Sequence, residues 1–98
     1  VISLNERVQG KDLQRFLNSR GVGDACPTCQ HGKLSIAVFD PEGEQEGNAL
    51  AIRVVHLLDD GSRRGYGEFM RVCANCGHIH YIRDAEVLAF MEEESDNG

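Results

Sequence analysis

Two C-x-x-C pairs, Cys26-Pro27-Thr28-Cys29 and Cys73-Ala74-Asn75-Cys76, constrain this chain more than any other feature and use all four of its cysteines. A turn of this kind sets two thiolates about one tetrahedral edge apart and folds backbone N–H groups toward the sulfurs. Two such turns make a closed tetrathiolate set with no open coordination position, the donor set that suits Zn²⁺ best. The sequence therefore predicts one structural Zn²⁺ per chain, held by Cys26, Cys29, Cys73 and Cys76. Two disulfides are the competing use of the same thiols. A thioredoxin-like redox pair would need one reactive C-x-x-C at a helix N-terminus, whereas strand-like sequence follows both pairs here.

With 98 residues the chain has room for one modest core, so a metal cross-link is an expected part of its stability. Hydrophobic residues make up 41% of it, as in an ordinary globular domain. It contains no apolar run near the length of a membrane span and no signal-peptide pattern, and with metal-spaced thiols this points to a reducing cytoplasm. The formal net charge is -6. Four thiolates around one divalent ion make the loaded protein more negative still, which disfavours generic nucleic-acid binding.

The expected fold is small α+β: a three- or four-stranded antiparallel sheet with a short helix at each end of the chain. Residues 1–10 read as an N-terminal arm in which Val1, Ile2, Leu4 and Val8 are free to pack. Residues 11–94 read as a single domain and residues 95–98 as a frayed tail. Leu13, Phe16 and Leu17 have helical spacing, with Asp12, Gln14, Arg15 and Asn18 on the other faces, and Gly21 and Gly23 stop the helix. Leu34 to Phe39 and Ala49 to Leu58 each read as a strand, with an acidic Gly/Pro loop from Asp40 to Asn48 between them. Asp59-Asp60-Gly61-Ser62 marks a turn, Tyr66–Val72 a return strand and His78–Ile82 a last strand. A closing helix spans Ala85–Glu93, with Asp84 as its N-cap. Gln30 stands directly after Cys29, where knuckles favour glycine, and Gly32 follows two residues later, so the first turn is expected to be longer than the second, which has Gly77 in the usual place.

The CPTC and CANCGHI motifs resemble the zinc ribbon superfamily over about Asp24 to Ile82, and Phe69 to Phe90 is similar to small uncharacterised zinc-ribbon proteins of bacteria and phages. The resemblance implies two knuckles at hairpin ends, joined by an antiparallel sheet around structural Zn²⁺. The knuckles also resemble those of rubredoxins, whose tetrathiolate holds iron; their Trp/Tyr-rich core has no counterpart in a chain without Trp. Asp59-Asp60 resembles the acidic pair that transcript-cleavage elongation factors carry on a ribbon hairpin, although the flanking Gln/Arg-Ser-Ala context is missing. That likeness would imply a cofactor-like role inside a polymerase.

His31 and His78 each lie two residues past a cysteine and are candidates for outer-shell contacts to the centre. Arg53, Arg63, Arg64, Arg71 and Arg83 fall in the sheet half of the chain. If they share a face, with Tyr66, Phe69 and Tyr81 available to stack on bases, that face is a candidate nucleic-acid surface. No nucleophile–base pair or phosphate-cradling loop is evident, so the chain reads as non-enzymatic. The functional expectation is a small adaptor or regulator that binds a protein partner, with a nucleic-acid-binding transcriptional accessory as the alternative. The acidic loop and Glu92-Glu93-Glu94 suggest that the partner presents a basic patch.

Overall fold

The computed structural model describes residues 8–97, with backbone alone at residues 46 and 95–97. Most of the expected arm, including Val1, Ile2 and Leu4, therefore lies outside the described residues, as does the end of the tail. The elements are α1 (Gly10–Ser19), β1 (Leu34–Ile36), β2 (Val38–Phe39), β3 (Leu50–Ala51), β4 (Arg53–Leu57), β5 (Gly65–Cys73), β6 (Ile79–Arg83) and α2 (Asp84–Asn97), with a 3₁₀ turn at Glu46–Asn48. The molecule is thus a small α+β domain with two helices and antiparallel sheets.

Helix α1 forms where apolar residues recur on one stripe, and Leu13, Phe16 and Leu17 are all buried. Asp12 does not lie on an exposed face as its place in the pattern suggested. It is buried because its carboxylate reaches back to accept the Gln9 N–H at 3.0 Å, which satisfies an otherwise unpaired donor at the helix start. At the other end the Val22 N–H bonds to the Leu17 carbonyl and the Gly21 N–H to the Asn18 carbonyl, the paired closure that ends many helices at a glycine. Helix α2 starts at Asp84 and runs past Glu93 to Asn97. It is held to α1 by an edge-to-face contact between Phe16 and Phe90 and by an ion pair between Arg15 and Glu94 at 2.8 Å.

Strand β5 is the centre of the sheet. One of its edges pairs with β6, from Glu68↔Arg83 to Val72↔Ile79. Its other edge is shared: β1 takes the upper part (Leu34↔Cys73 to Ile36↔Arg71) and β4 the lower part (Arg53↔Phe69 to Leu57↔Gly65). This division explains why the two expected strands are interrupted. Only one segment can occupy each length of that edge, so the chain leaves the sheet after β1 and rejoins it at β4. Ala37 donates to the Met70 carbonyl at the junction, and Ile52 donates to the Ala37 carbonyl. The intervening β2–β3 ribbon pairs Val38 with Ala51 and Phe39 with Leu50, and docks on α1 through bonds from Gly10 to Ala49 and from Ala51 to Val8.

Both helices cover the same face of the sheet. There Phe69 and Ile82 meet Val8, Leu13, Phe16, Leu17 and Val87 in the main core. A separate small cluster of Cys26, Leu34 and Cys73, with Cys29 against it, occupies the knuckle end. Along β5 the covered face reads Gly67, Phe69, Arg71, Cys73, because side chains of a strand alternate between faces. One strand thus connects the apolar core to the sulfur cluster. Phe69 is wholly buried at the centre of that core, so it is not available to stack on a base as the sequence suggested. Phe69→Ala is expected to cost about 3–5 kcal/mol, read as a lower denaturant midpoint of the metal-loaded protein with an unchanged slope.

Candidate metal centre

The first knuckle lies between α1 and β1 and the second between β5 and β6. Each is closed by its own backbone. Gln30 donates to the Cys26 carbonyl at 3.1 Å, and Gly77 donates to the Cys73 carbonyl at 2.8 Å. The Cys26 N–H reaches Gly32, whereas the Cys73 N–H reaches His78, so the first turn takes one residue more to close. Gly77 has φ +83°, and Gln30 adopts the same left-handed region at +63° in spite of its side chain. The extra length is accommodated at Gly32. A Cβ there would stand 2.6 Å from the Cys73 sulfur and 2.9 Å from Asn75 Cβ, so only glycine lets the first knuckle lie against the second.

The β1–β5 ladder places Leu34 opposite Cys73 and so sets one knuckle beside the other. The four sulfurs then lie within 4.8 Å of one another, with Cys26 to Cys76 at 3.6 Å and Cys29 to Cys73 at 3.8 Å. A tetrahedral ion with metal–sulfur bonds of about 2.3 Å requires sulfur–sulfur edges of about 3.8 Å, which this arrangement matches. All four are free thiols, far from the covalent S–S length of about 2.05 Å. Among the described residues they are the one set of three or more Cys, His, Asp or Glu that could share a metal.

Donors converge on the sulfurs. Asn75 gives its side-chain amide to Cys29 at 3.2 Å, and backbone N–H groups of His31 and Gly32 point at the same atom. These bonds, Asn75 foremost, bring the Cys29 thiol down to about 6. Cys26 is lowered as well, chiefly by the backbone N–H of Cys29. At Cys76 the His78 N–H pulls in the same direction, but desolvation and the three neighbouring sulfurs outweigh it and push this thiol up to about 12. Four thiolates cannot coexist here without a cation, and the cluster distributes its protons accordingly.

The histidines flanking the cysteines act differently from each other. His78 joins the knuckles, with its Nδ1 at 3.0 Å from Thr28 Oγ1, and its backbone serves both Cys73 and Cys76. His31 contributes its backbone N–H to Cys29. Asn75 and Thr28 were not singled out from the sequence; the signal was there, since each is a hydrogen-bonding residue inside a C-x-x-C turn.

The five candidate arginines are not brought together. Arg53 pairs with Asp84 at 3.2 Å, and Arg71 lies on the covered face with its charge disfavoured by burial. Arg83 pairs with Glu86 at 2.6 Å. Arg63 and Arg64 are at the tip of the β4–β5 hairpin, where Arg64 pairs with Asp60 at 3.0 Å. Asp60 also accepts the Ser62 N–H, so both its oxygens serve the turn.

No protein-family model, curated protein or solved structure matches the chain. What the geometry establishes is a small domain with a four-cysteine cluster able to coordinate a metal ion. No helix among the described residues is long and apolar enough to cross a membrane.

Metal binding must displace the remaining thiol protons, so affinity is expected to rise with pH. The hydrogen bonds that lower Cys29 and Cys26 leave the cluster partly ionised near neutral pH, so fewer than four protons should leave per metal bound. Below about pH 6 Cys29 joins the groups that must ionise, and the dependence should steepen as pH falls. Calorimetric titration in buffers of different ionisation enthalpy measures the proton count directly.

Proposed function

We propose that the protein is a non-enzymatic domain of zinc-ribbon type, in which structural Zn²⁺ holds a sheet that docks on a protein partner in the cytoplasm. The observation that carries the docking reading is the bare outer face of the sheet. Helices α1 and α2 both lie on the other side. The outer face presents Val54, Tyr66, Met70, Val72, Ile79 and Tyr81, with Met70 opposite Tyr81 and Val72 opposite Ile79. Tyr66, Tyr81 and Ile79 are 51%, 49% and 42% exposed. These apolar groups surround Glu68, which lies on the central strand between Val54 and Arg83 with His56 Nε2 at 3.4 Å, and the face has the mixed apolar and polar character of a protein interface.

Zinc is favoured over iron by the closed tetrathiolate in a chain without the aromatic core of rubredoxins. The net charge of -6 and the pairing of Arg53, Arg64 and Arg83 with carboxylates favour a protein partner over nucleic acid. The acidic loop and the acidic end of α2 suit a partner with basic margins. A metal-bearing domain without a cluster of catalytic side chains among its described residues fits an adaptor or regulator.

Elemental analysis is expected to give one zinc per chain. Structural zinc contributes about 10 kcal/mol or more of apparent binding free energy in small domains, so chelation or Cys73→Ser should abolish near-UV dichroism. A red, iron-loaded protein contradicts the zinc assignment.

The docking face is tested by comparing the proteins retained from a source-cell lysate. The double variant Ile79→Asp/Tyr81→Asp should lose a partner that the parent retains, with zinc content unchanged. Phe39→Asp, on the separate ribbon, should retain it. Equal capture by all three proteins removes the sheet face from the proposal.

A further inference from the structure

Arg71 is 3% exposed, yet among the described residues none of its hydrogen bonds goes to a carboxylate. Its Nη1 donates to the Gly23 carbonyl at 3.0 Å. Nε and Nη2 both approach His80 Nδ1, at 3.2 and 3.0 Å. A guanidinium keeps its protons, so Nδ1 is the acceptor and the imidazole is neutral. Burial, the neighbouring Arg71 and His78 all favour that neutral form. Both partners of Arg71 are therefore uncharged, and Asp24 acts on it only from longer range. A buried cation without a counter-charge is costly, and such groups are normally paired.

A stronger counter-charge than distant Asp24 is available along the same strand. Cys73 is the next residue on the face of β5 that carries Arg71, about 7 Å further on at the rise of a strand. Four thiolates around a divalent ion sum to a net dianion. The partners of Arg71 are placed just as selectively: Gly23 leads into the first knuckle, and His80 lies on the strand leaving the second.

We propose that Arg71 is a positioning residue of the metal centre, offsetting the negative charge of the loaded tetrathiolate and fastening the segment before the first knuckle to the strands on either side of the second. The proposal rests on the tetrathiolate reading above. It assigns a use to a residue that otherwise looks like one of several sheet arginines. It also gives His80 a role, that of supplying a lone pair where a protonated imidazole would face a cation.

The test uses the full chain loaded with Co²⁺ and then Zn²⁺, with affinities from chelator competition. Outer-shell partners of metal ligands typically account for about 10–100-fold in metal affinity. Arg71→Met keeps the apolar stem and is expected to bind one metal at saturation with an affinity lower by that factor. Its sulfur-to-cobalt charge-transfer band should move to longer wavelength, since a cation near the thiolates holds their electrons more tightly. Arg71→Lys, which restores the charge without the planar fork, should recover the band position and only part of the affinity. A purely structural role would leave the band unmoved. If Arg71→Met binds within about twofold of the parent with an unshifted band, the proposal is overturned while the metal centre stands. If the parent itself lacks the charge-transfer band, the tetrathiolate reading falls and takes the proposal with it. Should Arg71→Met fail to fold, Arg71→Gln decides: it keeps a donor toward His80 and removes the charge, so a loss of about tenfold with the band moved supports the proposal, and an unchanged affinity and band overturn it.

Discussion

The short ladder between β1 and β5 is the contact on which the metal end depends. It registers Leu34 against Cys73 and so turns two distant C-x-x-C turns into one cluster of sulfurs. The sequence between the knuckles is long, but closure entropy grows only with the logarithm of loop length, so the ribbon and hairpin inserted there add little to its cost. What matters more is that the ladder forms in one register. A slip of one residue would turn Leu34 to the opposite face and move the first knuckle away from the second. The gathering of the sulfurs and the strand pairing thus require the same arrangement.

The molecule separates its tasks between two faces and two clusters. The covered face holds the apolar core around Phe69 and, further along the same strand, the sulfurs. The outer face carries no helix and keeps tyrosine and aliphatic side chains half in water. Antiparallel sheets commonly leave one face solvated, but that face is then usually polar. Here tyrosine and aliphatic side chains share it with Glu68, His56 and Arg83.

The four-cysteine cluster was legible because its signal is local: a C-x-x-C turn is complete within four residues. The helix around Leu13, Phe16 and Leu17 and the hairpin at Asp59-Asp60-Gly61 were legible for the same reason. The breaks at Ala37 and Ile52 were not. Each flanking run looks like one uninterrupted strand, and only competition for an edge of β5, a non-local fact, divides it. Asp12 read as a surface residue because its periodicity was right and its bond to Gln9 was invisible. Arg71 was read only as one of several sheet arginines, with no link to His80. Their pairing requires the β5–β6 register, which sets Arg71 opposite His80 and which composition does not encode.

The alternation along β5 has a consequence for how such a chain can change over generations. Core phenylalanine, buried arginine and a cysteine of the sulfur cluster sit at successive two-residue steps on one strand. A single inserted or deleted residue between Phe69 and Cys73 would put the core and the centre on opposite sides of the sheet. Length variation is easier to accommodate where the ladder is not interrupted, as in the acidic loop before β3 and the tip between β4 and β5. Those two loops are the sites where lineages can elaborate the domain, and where a foreign segment can be grafted without disturbing the sulfurs.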